Sequence, residues 1–131
     1  MTGRSVSPGR ASGLALVSPA PIGFYGGVDA RTGVVIEVGH PLEGRSVAGT
    51  VLVFPCGKGS TVGSYVIYGL KKNGVAPCAI VTAEVETIVA TGAILADIPC
   101  VDGIDIGGLR TGDRVEVDAT AGTISVTDDH G

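Results

Sequence analysis

The stretch around Val51 to Phe54, closed by Pro55, narrows the possible folds more than any other part of this chain. Val47 and Thr50 to Phe54 form a nearly continuous apolar run over Val47–Phe54, as expected of a strand covered on both faces, the usual state of a strand in a parallel sheet. Cys78 to Thr82 reads as a second buried strand by the same criteria. Between them, Val62 to Lys72 has helical period, with Val62, Tyr65, Val66 and Leu70 at i, i+3, i+4 and i+8 on one face. Ser60 stands where an N-cap belongs, Lys71 and Lys72 fall in the last turn, and Asn73-Gly74 is a C-terminal stop. Strand, glycine-rich turn, helix and strand in that order predict an α/β architecture. Val and Ile total 29 residues against 7 Leu, which makes the core β-rich, because β-branched side chains suit strands.

The remaining elements follow from local pattern. Residues 1–10 read as an arm leading into a strand at Ser12 to Val17, and Val34 to Val38 reads as a further strand. Val85 to Leu95 reads as a second helix with Glu84 and Glu86 near its start, and Pro99 to Val101 as a short strand. Arg114 to Asp118 and Thr123 to Thr127 alternate strictly between apolar and polar residues, which predicts a half-exposed hairpin turning at Ala119 to Gly122. Asp128 to Gly131 reads as a frayed tail. No linker or break in composition interrupts the 131 residues, so a single domain over 1–131 is expected. Pro55-Cys56, Pro77-Cys78 and Pro99-Cys100 recur at 22-residue intervals, but their flanks do not align as a repeat.

Charge and composition exclude several functions. A formal net charge of −4 offers no clustered basic face for nucleic acid. The longest uncharged stretch, Ala11 to Val28, has the 18 residues of a minimal membrane span but contains Pro19, Pro21 and four Gly. The first ten residues lack the apolar core of a signal peptide, and three cysteines are an odd number for a disulfide framework. A cytoplasmic protein is expected.

The chemistry concentrates in Gly57-Lys58-Gly59-Ser60-Thr61. A glycine-rich turn entering a helix offers backbone N–H groups beside the positive end of the helix dipole, a setting that binds carboxylate or phosphate and favours an alkoxide over a neutral hydroxyl. Gly57 and Gly59 allow close backbone approach, and Lys58 adds a cation. Gly59 interrupts what would otherwise be the Gly-Lys-Ser/Thr of a nucleotide-binding loop. Ser60 therefore faces a ligand or is an ordinary capping serine; spacing alone leaves both open. His40, before Pro41, reads as a surface or turn residue, and His130 lies in the tail. No two His have metal-ligand spacing. Cys56, Cys78 and Cys100 equal in number the ligands of a cluster with one open iron, yet their wide spacing contrasts with the close spacing of ferredoxin-like sites.

The run Gly57 to Tyr65 resembles the signature of the aconitase X small-subunit family, in its archaeal phosphomevalonate dehydratase branch. Phe24-Tyr25-Gly26-Gly27-Val28-Asp29 with Thr32-Gly33, Gly44 to Gly49, Asn73 to Pro77, Glu86-Thr87-Ile88, Gly92-Ala93 and Ile98-Pro99 fit the same family in order. The resemblance implies a swivelling β/β/α domain that docks on a large subunit as a heterodimer. It implies an iron–sulfur cluster, of the four-iron type, held by that large subunit and none bound by this chain alone. The implied reaction removes water from (R)-5-phosphomevalonate to give trans-anhydromevalonate 5-phosphate, in an archaeal mevalonate route to isoprenoids. Motif match makes Ser60 the proton acceptor and Gly57, Lys58, Gly59 and Thr61 candidate contacts to the substrate's anionic groups. Aconitase-type enzymes carry an arginine shortly after the catalytic serine, where this chain has Val62. Anion recognition then falls to Arg31, Lys58 or the large subunit. The loop at Phe24-Tyr25 and the Val62–Tyr65 neighbourhood are candidate docking surfaces, although a core position is expected for Tyr65. Two alternatives are a cis-3-hydroxyproline dehydratase small subunit of the same family and a non-catalytic anion-binding or scaffold domain; a self-sufficient three-cysteine cluster protein is a third.

Overall fold

A computed structural model describes residues 1–127; the tail at Asp128 to Gly131, with His130, lies outside the described residues. Seven strands form one curled sheet: β1 (Arg4–Ser7), β2 (Arg10–Val17), β3 (Val51–Phe54), β4 (Ala79–Thr82), β5 (Cys100–Asp102), β6 (Arg114–Asp118) and β7 (Thr123–Thr127). Their order is β1-β5-β4-β3-β2-β6-β7. The central pairs β2–β3, β3–β4 and β4–β5 are parallel, while β1–β5, β2–β6 and β6–β7 are antiparallel. A single irregular turn α1 (Phe24–Gly27) precedes two ten-residue helices, α2 (Gly63–Lys72) and α3 (Thr87–Ala96), which form the crossovers β3–α2–β4 and β4–α3–β5. None of the described helices is long and apolar enough to cross a membrane.

The expected arm at residues 1–10 is instead the piece that closes the sheet. Arg4–Ser7 pair with β5, while Thr2 bridges Thr123 and the backbone N–H of Ile124 donates to the Met1 carbonyl. One short segment thus satisfies both outer edges of the sheet, which would otherwise offer unpaired backbone groups to another chain. Local composition carries no trace of this, because the pairing joins residues about a hundred positions apart.

Two cores follow from the side-chain period of 2 along the central strands. Val51, Val53, Ala79, Val81 and Val101 point into the curled sheet with Ala15, Val115, Val117 and Ile124. Leu52, Phe54, Ile80 and Cys100 point the other way, beneath the helices, with Ile67, Leu70, Val89 and Ala93. Continuous apolar runs were the right sign of strands buried on both faces.

Three boundaries differ from expectation for physical reasons. Val34–Val38 forms only isolated bridges, Val34 to Ser46 and Val35 to Val28, because glycine turns at Gly33, Gly39 and Gly44, all with positive φ, leave no extended partner. The third strand begins at Val51 because Gly49 adopts φ +70° and the N–H of Thr50 turns back to the carbonyl of Val47. Helix α2 is rotated relative to the periodicity: Gly63, Ser64, Ile67 and Leu70 are buried, whereas Tyr65 is 69% and Val62 44% exposed. The reason is close packing against α3, where Gly63 and Gly92 let the two helices approach. A Cβ on Gly92 would stand 2.7 Å from Ile67 Cδ1.

Candidate active site

The end of β3 delivers the chain into the turn Pro55 to Val62, and neighbouring loops pin that turn on two sides. Ile22 pairs with Gly57 as a parallel bridge, donating to the Cys56 carbonyl at 3.2 Å and accepting from the Lys58 N–H at 3.1 Å. The N–H of Glu84, after β4, donates to the Pro55 carbonyl at 3.0 Å. Gly57 is glycine for space, since a Cβ there would run into the Glu86 carboxylate and Val89 Cγ2. Gly59 is glycine for conformation, at φ +87°.

The helix start differs from expectation. The helix begins after Val62, not at Ser60, and its first N–H groups are already used: Gly63 donates to the Ser60 carbonyl at 2.9 Å and Ser64 to the Thr61 carbonyl at 3.1 Å. The free donors sit one turn earlier. Among the described residues no acceptor meets the N–H of Gly57, Gly59, Ser60 or Thr61. Consecutive unpaired N–H groups in a turn form a concavity suited to an anion, independent of the helix dipole.

Ser60 is exposed, and its Oγ accepts the Val62 N–H at 3.1 Å. That single bond supports both readings of the residue, because it tightens the entry to α2 and also places a fixed donor on the oxygen. A donor aimed at an oxygen favours its anionic form. Gly59, Thr61 and Lys58 are exposed beside it.

The candidate cations are distributed unequally. Lys58 lays its stem over Gly23 and donates from Nζ to Glu37 Oε2 at 3.2 Å. Glu37 is a site neighbour that sequence reasoning missed, since nothing local marks a partner 21 residues away. Arg31 is not brought to the turn. It pairs with Asp29 at 3.9 Å, and the adjacent Ala30 carbonyl is bound by Asn73, at the far end of α2 from Ser60. Glu86, also missed as a contact, caps α3 by accepting from the N–H groups of Ile88 at 2.8 Å and Val89 at 2.9 Å.

His40 is buried, at 7% exposure, rather than on the surface. Its Nδ1 accepts the Leu42 N–H at 3.0 Å and its Nε2 lies 3.0 Å from the Pro21 carbonyl, so it is a satisfied turn residue. The cysteines do not make a ligand set. Burial, aided by Asp102, pushes the Cys100 thiol up to about 12, and burial also raises that of Cys78. The described residues contain no group of three His, Cys, Asp or Glu placed to hold a metal ion.

Exposed apolar side chains follow the polar Ser60 turn at Val62 and Tyr65 and stand on loops that pack against it. Tyr25 is 61% exposed, and Ile36, Val38, Val62 and Tyr65 are exposed with it, while Phe24 turns inward to meet Phe54 edge-on at 5.9 Å. The backbone links these residues: a Cβ on Gly63 would lie 3.5 Å from the Tyr25 nitrogen, and the Ile36 N–H donates to Gly27.

A family model described as the aconitase X swivel domain matches residues 1–126. The chain belongs to that family. Among aconitase X relatives, the phosphomevalonate dehydratase small subunit of Thermococcus kodakarensis is 54% identical over 129 residues, covering 98% of this chain and 97% of that one. The protein of the same name from Methanocella arvoryzae is 56% identical over 128 residues, covering 95% and 97%. The crystal structure of aconitase X from Thermococcus kodakaraensis in its holo-form superposes on this aconitase X swivel domain with a TM-score of 0.96 at 54% identity, covering 97% of each chain. The solution structure of a UPF0107 protein gives 0.89 at 49% identity, covering 98% of each.

Proposed function

We propose that this chain is the small subunit of a phosphomevalonate dehydratase, a hydro-lyase that works with a larger partner subunit. The relatives compared above carry that name over nearly their whole length. Neither the hydroxyproline nor the scaffold reading draws support from them.

Dehydration of this β-hydroxy acid breaks one C–H bond beside the carboxylate and the C–O bond of the neighbouring hydroxyl. The C–H electron pair becomes the new double bond as the hydroxyl leaves with the C–O pair as hydroxide; that hydroxide and the proton taken by the base together make up the water lost. Ser60 is the proposed proton acceptor. The observation that carries this role is its Oγ: exposed, already receiving the Val62 N–H, and next to the unpaired N–H groups of Gly59, Ser60 and Thr61. Those groups, with Gly57, suit a substrate carboxylate or phosphate, and Lys58 can reach the same anion by leaving Glu37. Departure of the hydroxyl is assigned to the larger subunit, where an iron–sulfur cluster would act as Lewis acid when bound. The exposed apolar ring of Tyr25, Val62 and Tyr65 is the proposed docking face, and it would also exclude water from the serine.

Ser60→Ala in the reconstituted two-subunit enzyme tests the role. The expected result is intact assembly with turnover of (R)-5-phosphomevalonate reduced by roughly 10²–10⁴-fold, the typical worth of a positioned base. Retention of more than about a tenth of wild-type turnover would remove Ser60 from proton transfer.

A further inference from the structure

Helix N-caps favour Ser, Asn, Asp and Thr because a short side chain reaches the N–H groups two and three residues on. Glu86 occupies that position in extended backbone, φ −115° and ψ 172°, and accepts from both Ile88 and Val89. Capping does not need its extra methylene. The added length lays the carboxylate against the face of Gly57, where no Cβ could fit. Gly57 lies three residues before Ser60, in a turn held on its other side by Ile22. The turn is thus gripped between a strand-like bridge and a carboxylate that is itself fixed by two backbone donors.

We propose that Glu86 is a positioning residue: it sets the Gly57–Ser60 turn, and through it the height of Ser60 Oγ, using the start of α3 as an anchor. This rests on the reading of Ser60 as proton acceptor. A general base misplaced by about 1 Å can lose some 10²-fold in rate.

Two variants separate positioning from capping, each studied in the complex with the large subunit. Glu86→Asp keeps a favoured cap but withdraws the carboxylate from Gly57. Glu86→Gln keeps the contact with Gly57 but offers one acceptor oxygen to two N–H groups. Positioning predicts opposite rankings. Glu86→Asp melts close to wild type, exchanges the hydrogen-bonded amides of Lys58 and Val62 faster, and loses kcat by about 10–100-fold with KM little changed. Glu86→Gln melts lower by about 4 °C while kcat stays within about threefold. Two results would overturn the proposal: kcat that follows melting temperature, with Gln worse than Asp, or unchanged exchange at Lys58 and Val62 in Glu86→Asp. Ser60→Ala run in parallel keeps the two ideas apart. Should it turn over normally, the reading of Ser60 fails, and the exchange at Lys58 and Val62 alone then decides whether Glu86 positions the turn.

Discussion

The packing of α2 against α3 makes one substitution act in opposite directions at two sites. Gly69 and Gly92 both lie inside helices with no need for positive φ, so replacing either with alanine gains helix propensity of about 0.8–1.0 kcal/mol. At Gly69 the new methyl would meet only Ala30 Cβ at 3.5 Å, an ordinary contact. At Gly92 it would stand 2.7 Å from Ile67 Cδ1, 2.9 Å from Ile67 Cβ and 3.2 Å from the Ser64 carbonyl. Turning the isoleucine moves its Cδ1 but neither its Cβ nor a backbone oxygen, so relief requires the helices to separate. Overpacking of this kind costs about 1–3 kcal/mol. The propensity gain is common to both variants, so the difference between them isolates the clash. For 131 residues, 1 kcal/mol corresponds to about 4 °C in melting temperature. Thermal unfolding followed by circular dichroism should therefore place Gly69→Ala slightly above wild type and Gly92→Ala about 4–12 °C below Gly69→Ala. A Gly92→Ala protein melting at or above Gly69→Ala would show that the glycine is not what lets these helices meet.

Other consequences are equally direct. Leu70→Ala, at a fully buried site, should cost about 2–5 kcal/mol in urea unfolding, whereas Tyr65→Ala should leave unfolding within about 0.5 kcal/mol and instead weaken large-subunit binding in titration calorimetry. Cys100 should resist alkylation at pH 8 until the chain unfolds, because burial disfavours its thiolate. Its folded pKa lies above the unfolded value of 9.0, so the stability it contributes is complete below pH 9.0 and is lost as pH rises from there through about 12. Relative to Cys100→Ala, wild type should lose on the order of 1 kcal/mol more between pH 7 and pH 10 in matched urea midpoints; parallel decline in the two would contradict the assignment.

How much was legible depended on whether the determining contact was local. The β6–β7 hairpin and the stops of α2 at Asn73-Gly74 rest on neighbours a few residues apart, and they formed as read. Strand β1 did not announce itself, because Arg4 to Ser7 is extended only through partners near residue 100. The Gly57–Thr61 turn was readable, but the location of its free donors was not: the carbonyls of Ser60 and Thr61 consume the first N–H groups of α2. Glu37 and Glu86 were missed as site contacts for the same reason, since each meets the turn from a different loop.

The rotation of α2 is the informative disagreement. A helical period counts apolar residues without knowing which surface they serve, so it sets Val62 and Tyr65 on one face with Leu70, implies a core position for Tyr65, and passes over the small residues Gly63 and Ser64. The structure reverses this: small residues face inward, where α3 must come close, and Val62 and Tyr65 face outward beside Ser60 and Tyr25. Natural sequences break local rules where function compensates. A tyrosine and a valine exposed two to five residues from an exposed serine, next to the unpaired amides of Gly59 to Thr61, satisfy no need of the isolated fold. They make sense when a second surface covers them, because that cover supplies apolar burial to the rim and removes water from the oxygen at its centre. Under the proposed proton-acceptor role, docking and activation of the serine are one event, so variants at the rim should lower turnover only as far as they lower assembly, while variants in the turn should lower turnover in complexes that assemble normally.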